Sequence, residues 1–270
     1  LLPIFRLLFC MVRQNKMVKL LTIAGLGPGD PKLVTPNVQE AILSATDIVG
    51  YIPYVARIPT RDGLVLHPSD NRVEIERAEL ALDLAASGKN VLIVSSGDPG
   101  VFAMAAAVFE ILDKNPIRWA DVDIQILPGI TAMLAAAANI GAPLGHDFCV
   151  LNLSDNLKPW ELIEKRLLLG IEADFAMALY NPRSKSRPEG FKKALTMLKR
   201  ECSKDRPIVF ARAISTPEER IQIMTLAQAE PEMADMQTVV IIGSSQTKVL
   251  LQNGKTFAYT PRYSKLGSAN

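Results

Sequence analysis

Cysteine is scarce in this chain of 270 residues: it occurs three times, at Cys10, Cys149 and Cys202, with no close pair. An odd, dispersed set excludes a disulfide framework and fits a reducing compartment, so a cytoplasmic location is expected. Histidine is scarcer still, with His67 and His146 as the two examples. A His/Cys zinc site would have almost no ligands to draw on, so no metal site is expected. Neither sign of charge dominates: 30 Lys and Arg face 28 Asp and Glu, a formal net charge of +2. That balance excludes a general nucleic-acid binder, and it leaves room for a small basic pocket that takes an acidic ligand. The apolar stretch at residues 1–12 is broken by Pro3 and Arg6 and is too short to span a bilayer. It also lacks the charged start and cleavage site of a secretory signal. No membrane partner is expected, and residues 1–17 are expected to lie outside the folded core.

What is present is an alternation of short apolar runs and amphipathic stretches. Residues 19–24, 47–51, 90–95 and 123–127 read as buried strands, and helices are expected over 36–45, 73–86, 101–112 and 131–139. Thr35-Pro36 supplies an N-cap and a proline for the first helical position. Gly141-Ala142-Pro143-Leu144-Gly145 breaks the pattern. Beyond it, strands are expected at 148–153, 175–180, 208–212, 220–225 and 238–242, with helices near 160–169, 188–200 and 226–234. Such alternation in both halves indicates an α/β protein of two domains, 18–143 and 144–250, with a tail at 251–270.

Three strand-to-helix turns in the first half are rich in Gly and Pro: GLGPGD at 25–30, SSGDPGVF at 95–102 and PGITA at 128–132. Ligands of open α/β sheets gather at such turns, where glycine admits close backbone approach. The first turn departs from the dinucleotide fingerprint because Asp30 stands where the third glycine belongs, and a carboxylate there opposes a pyrophosphate. An NAD-binding oxidoreductase is therefore disfavoured. Taken together and in this order, the three turns resemble the tetrapyrrole methylase family over residues 18–248. Members of that family use S-adenosylmethionine and fold as two α/β domains around a cleft. Such a donor carries no phosphate, and its sulfonium and ammonium suit carboxylates and backbone carbonyls.

The resemblance implies cofactor-binding roles for Pro28 in the first turn, for Ser96, Gly97, Asp98 and Val101 in the second, and for Thr131 and Ala132 in the third. Asn181 and Ala213 match positions that close over the cofactor, although relatives often carry Met or Gly there. Asp98 could equally serve as a turn-stabilising Asx residue. The stretches GYIPY at 50–54, GHDFC at 145–149 and YNPRS at 180–184 resemble the ring-contracting C(17)-methyltransferase branch of the family. Its substrate is precorrin-3B in one route and cobalt-factor III in the other. The branch implies a carboxylate-rich tetrapyrrole partner and a homodimer. Arg183, Lys185 and Arg187 are then a clamp for substrate carboxylates, or else a solvated loop. Tyr54 is a substrate-binding candidate, and Arg57, Arg61 and Arg72 are further cations for the same task. Asp155, His146 and Tyr51 are the candidates for a general base, and the residues themselves do not choose between them. An rRNA or diphthine-type methyltransferase and a non-catalytic tetrapyrrole carrier are less consistent with these stretches.

Overall fold

The computed structural model describes residues 19–263, so the expectation for residues 1–17 lies outside the described residues. The first half comprises β1 (Leu20–Gly25), α1 (Pro36–Ser44), β2 (Asp47–Tyr51), α2 (Ile52–Val55), β3 (Val65–Ser69), α3 (Glu74–Ala86), β4 (Asn90–Ser95), α4 (Met104–Lys114), β5 (Asp123–Leu127) and α5 (Ala132–Ile140). Its five strands pair in the order β3-β2-β4-β1-β5, all parallel. The central strands β1, β2 and β4 are buried almost end to end, which is why they read as continuous apolar runs. Helices α3 and α4 cover one face through Ala78, Leu82, Val108 and Ile111, while Val38 of α1 and Val55 of α2 pack on the other. The Thr35 side chain caps α1 by accepting from Val38 N, and Pro36 occupies its first turn.

The two-residue strand β6 (Gly141–Ala142) leads into the second half: β7 (Phe148–Asn152), α6 (Trp160–Glu172), β8 (Ala176–Tyr180), α7 (Gly190–Glu201), β9 (Pro207–Arg212), β10 (Arg220–Thr225), β11 (Thr238–Ile242), β12 (Lys248–Gln252) and β13 (Lys255–Tyr259). Its main sheet runs β10-β9-β11-β8-β7; β7 and β8 are parallel and the other pairs antiparallel. Helices α6 and α7 cover one face through Ile163, Leu167, Phe191 and Leu198. The other face is covered by α5, whose Ala135, Ala136, Ala137 and Ile140 pack against Val209, Ala211, Val239 and Ile241. The last helix of the first half thus belongs to the core of the second.

Four stretches differ from the sequence reading. No helix forms over 226–234; two short 3-10 turns, Leu226–Gln228 and Pro231–Met233, stand there with Ala229 and Glu230 extended. Pro231 has no N–H to continue a helix, and it biases Glu230 toward extended backbone. Helix α4 starts at Met104 rather than near 101, because Phe102 takes a left-handed φ of 54° and the chain bends there. Strand β3 was not expected; Pro68 lies within it, and this is tolerated because β3 is an edge strand. The expected tail at 251–270 begins instead as a hairpin. Asn253 and Gly254 both have positive φ between β12 and β13, and β13 pairs with β6.

The three glycine turns meet at the carboxyl ends of β1, β4 and β5. A Cβ on Gly25 would lie 2.3 Å from Gly97 O, and one on Gly129 would lie 2.1 Å from the same oxygen. Gly27 and Gly97 exchange backbone hydrogen bonds of 3.2 and 2.9 Å. At the opposite end of the sheet, buried Asp47 accepts from Thr46 Oγ1 at 2.8 Å and lies 2.8 Å from His67 Nε2. Burial pushes the Asp47 carboxyl up, but bonds from His67 and Thr46, with the charges of Lys89 and His67, outweigh it and hold the group below its ordinary value.

Gly129→Ala should lower stability by about 1–3 kcal/mol, since backbone rather than a flexible side chain must yield; a melting temperature equal to that of the parent would refute the close approach. The lowered Asp47 pKa stabilises the fold above the carboxylate range and ceases to do so as pH falls through it. Asp47→Asn should therefore cost about 1–3 kcal/mol at neutral pH, and it should flatten the loss of stability between neutral pH and pH 3 in urea denaturation. An acid limb that stays as steep in the variant would contradict this.

Candidate active site

The floor of the site is backbone. Leu26 N donates to Ser95 O at 2.8 Å, Gly27 N to Gly97 O, and Gly97 N to Gly27 O. Asp98 ties the second and third turns together: Oδ1 accepts from Gly100 N at 2.8 Å and Oδ2 from Gly129 N at 3.0 Å. Arg57 braces the first turn by donating to Leu26 O and Gly29 O at 2.9 and 3.2 Å. Of the turn N–H groups, those of Leu26, Gly27, Gly97, Gly100 and Gly129 are spent within the turns, and Pro28 has none. With Asp30 in place of the third glycine, the first turn offers a pyrophosphate few donors. The glycines are required because the three turns pack backbone on backbone.

The second half closes on this floor through specific contacts. Tyr180, at the end of β8, places its hydroxyl 2.6 Å from Thr131 Oγ1 and accepts from Met133 N at 2.9 Å. Burial pushes the Tyr180 hydroxyl up, and the bonds from Thr131 and Met133 only partly oppose that. Half-exposed Phe102 stacks edgewise on Tyr180 with ring centres 5.4 Å apart. A Cβ on Gly29 would lie 2.5 Å from Thr216 Cγ2, so the first turn packs on the 213–216 loop. Phe102, Asn181, Ala213 and Ser215 all carry positive φ. For side chains other than glycine such backbone costs energy, and it concentrates where a chain must curve around a site.

The sequence-predicted residues fall into several groups. Pro28, Ser96, Gly97, Asp98, Val101, Thr131 and Ala132 lie in the three turns that converge. Asn181 follows β8, where its Nδ2 donates to Asn152 Oδ1 at 3.1 Å, and Ala213 follows β9 in the loop that meets the first turn. Tyr51, which ends β2, and Tyr54, in α2, contact each other edgewise at 5.2 Å. Tyr51 accepts from Asn71 Nδ2, and Tyr54 bonds Ser96. Burial, reinforced by Tyr51, pushes the Tyr54 hydroxyl up, which makes it a donor rather than a base near neutral pH.

Asp155 lies three residues past β7, with Oδ1 4.0 Å from Arg187 Nε. Arg187 Nη1 is buried with no partner, and Arg183 pairs loosely with Glu232 at 3.9 Å. Lys185 is exposed. Arg72 reaches across the two halves to Ser186 Oγ at 3.4 Å. Two expectations are corrected. His146 precedes the amino end of β7 and is engaged with Asp147, whereas the site lies at the carboxyl end. A strand of five residues separates the two ends by roughly 16 Å. Arg61 donates to Ile42 O and Ala45 O at the end of α1, where it satisfies helix carbonyls rather than substrate. Sequence reasoning missed Tyr180 as the link between the halves, and it missed Lys158 and Arg166, which line a recess beside Asn152. A larger recess of about 380 Å³, between α6 and α7 near Trp160 and Thr196, includes none of the turn residues. Among the described residues no cluster of His, Cys, Asp and Glu could hold a metal ion, and no helix is long and apolar enough to cross a membrane.

Comparison with known proteins converges on the same architecture. A precorrin-3B C(17)-methyltransferase from a Sinorhizobium species is 50% identical over 248 residues, covering 92% of this chain and 98% of that protein. The crystal structure of the methyltransferase CobJ superposes with a TM-score of 0.86 at 60% identity, over 89% of this chain and 99% of that one. A Thermus thermophilus uroporphyrin-III C-methyl transferase complexed with S-adenyl homocysteine shares the fold at a TM-score of 0.61 and 20% identity, over 83% of this chain and 96% of its own. The family described as Tetrapyrrole (Corrin/Porphyrin) Methylases matches residues 20–230, and this chain belongs to it.

Proposed function

We propose that this chain is an S-adenosylmethionine-dependent C-methyltransferase of cobalamin biosynthesis that methylates precorrin-3B at C(17) and contracts the ring to precorrin-4. The observation that carries the reading is the 50% identity, across nearly both lengths, with a relative named for that reaction. The cobalt-free substrate follows from the same relative.

The residues present fit the donor, which when bound supplies an electrophilic methyl group on a cationic sulfur. Backbone at Gly25, Gly97 and Gly129 shapes the cradle, and Asp98 holds two of its turns in register. Asn181 and Ala213 close it from the second half, on backbone held in a left-handed turn. The chain's main task is to hold the acceptor carbon in line. Positioning of this kind supplies about 7–11 kcal/mol, against the 10²–10⁴-fold of a general base. Tyr54 and Tyr180 are protonated near neutral pH as tyrosines ordinarily are, and burial raises both hydroxyls further. Of the base candidates, Asp155 lies on the side where Arg183 and Arg187 would receive substrate carboxylates. A reducing, cytoplasmic setting is consistent with the free thiols of Cys149 and Cys202. We assign a homodimer on the strength of the family resemblance and of Val249, Leu250 and Leu251, which leave an apolar strand uncovered on β12.

Incubation with precorrin-3B and methyl-labelled donor should transfer one labelled methyl to the tetrapyrrole, with the mass and absorbance of a contracted ring; label that stays on the donor would reject the assignment. Asp98→Ala should weaken S-adenosylhomocysteine binding by at least about tenfold and also cost about 2 kcal/mol of stability, because it frees two backbone N–H groups. Calorimetric titration alongside thermal melting would separate the two effects, and unchanged affinity would remove Asp98 from the cradle.

A further inference from the structure

A small cationic recess lies beside the cradle. Its walls are Phe102 from the first half, Val150 and Asn152 of β7, Lys158 in the link to α6, and Ile163 and Arg166 in the first half of α6. Lys158 Nζ donates to Ser154 O at 2.8 Å, which fixes the ammonium and leaves two of its three donors unused by that bond. Arg166 is solvent-exposed, and neither it nor Lys158 makes an ion pair among the described residues. Arg187 joins the group, and its Nη1 is buried without a partner. The acid beside these three cations is half-exposed Asp155, 4.0 Å from Arg187. Burial first, and then the like charges of Arg166 and Arg187, hold the Lys158 ammonium below its ordinary value. A site with unbalanced positive charge is ready for an anion.

The recess has about 60 Å³, enough for a few waters and for a carboxylate. Carboxylates are the anions that the proposed tetrapyrrole carries, and they match the donors of Lys158 and Arg166. We propose that Lys158 and Arg166, supported by Arg187, receive one carboxylate arm of the tetrapyrrole and so set how the macrocycle lies across the cradle. Asn152 connects the two places: it lines the recess and accepts from Asn181, the left-handed residue that closes over the donor. An arm anchored at the recess therefore registers the ring against the methyl group through a single hydrogen-bonded pair of strand ends. This assignment rests on the reaction proposed above, and it adds Lys158 and Arg166 to the substrate side as positioning residues.

Lys158→Gln and Arg166→Gln remove charge with little change in volume. Each should raise KM for precorrin-3B by about tenfold, the loss expected for a charge-assisted hydrogen bond. Because the arm also registers the ring, kcat should fall as well, whereas S-adenosylhomocysteine affinity should stay within about twofold of the parent, and Arg166→Lys should recover part of the loss. Unchanged KM in both variants, with the parent active on precorrin-3B, would overturn the recess assignment and leave the reaction standing. A parent that fails to methylate precorrin-3B would overturn the reaction instead. Fluorescence titration with a porphyrin octacarboxylate and its methyl ester then tests the recess without turnover. The parent should prefer the acid and the variants should lose that preference, whereas equal binding of acid and ester by the parent would reject the site. Melting temperatures within a few degrees of the parent identify the variants that remain folded.

Discussion

Contact between three backbone turns is the constraint on which this molecule depends. Gly25, Gly97 and Gly129 approach so closely that a single added carbon on the first or third would strike the carbonyl of the second. The parallel order of β4, β1 and β5 brings the turns to one edge, and the exchanged bonds between Gly27 and Gly97 join two of them. The Asp98 carboxylate then closes the set by accepting from Gly100 and Gly129. In the first turn Leu26 and Gly27 spend their N–H groups on such contacts and Pro28 has none, which leaves that turn poor in donors for a phosphate. Fold and ligand class are thus linked through one feature: bonds that hold the turns together use first-turn donors on which a pyrophosphate would have drawn.

The second half is attached by chemistry as well as by packing. Tyr180 reaches the amino end of α5 with its hydroxyl, while the apolar face of α5 lies on β9 and β11. Phe102, Asn181, Ala213 and Ser215 adopt backbone that their side chains do not favour, and all four lie where the halves face each other. The regular sheets and helices behind them hold that geometry in place. Cations cluster on one side of this junction, at Lys158, Arg166, Arg183 and Arg187, with Asp155 among them, whereas the cradle carries Asp98 and Asp30 beside a single bracing cation, Arg57. The molecule as a whole is nearly neutral, so its polarity is a local arrangement that net charge does not reveal.

Much of this was legible in the sequence, and particular residues show why. Central strands such as β1, β2 and β4 are buried on both faces, and their apolar runs announce them. The turns were visible because close backbone approach demands glycine. Edge elements were harder: β3 alternates weakly, contains Pro68 and takes its place from β2 rather than from its own pattern. The hairpin at the carboxyl end did carry a local signal in Asn253-Gly254, whose adjacent positive φ values suit a tight turn. The 226–234 stretch has helical composition, but Pro231 divides it. At the site, residue type and spacing indicated the turns but not Tyr180, because a tyrosine ending a strand looks the same whether it packs locally or bonds the other half. His146 misled for the converse reason: its neighbours in sequence are near the site motifs, but a strand carries it to the far end.

The placement of α5 has a consequence for how the chain could be divided. A cut in the link at 141–145 would look natural along the sequence, between two alternating α/β patterns. It would leave the downstream piece without the helix that shields Val209, Ala211, Val239 and Ile241, and would strand an alanine-rich amphiphile on the upstream piece. Fragments severed there would each expose a sticky apolar surface and be drawn back together. A soluble downstream half would have to begin upstream of Thr131, and so would carry with it the third wall of the nucleoside cradle.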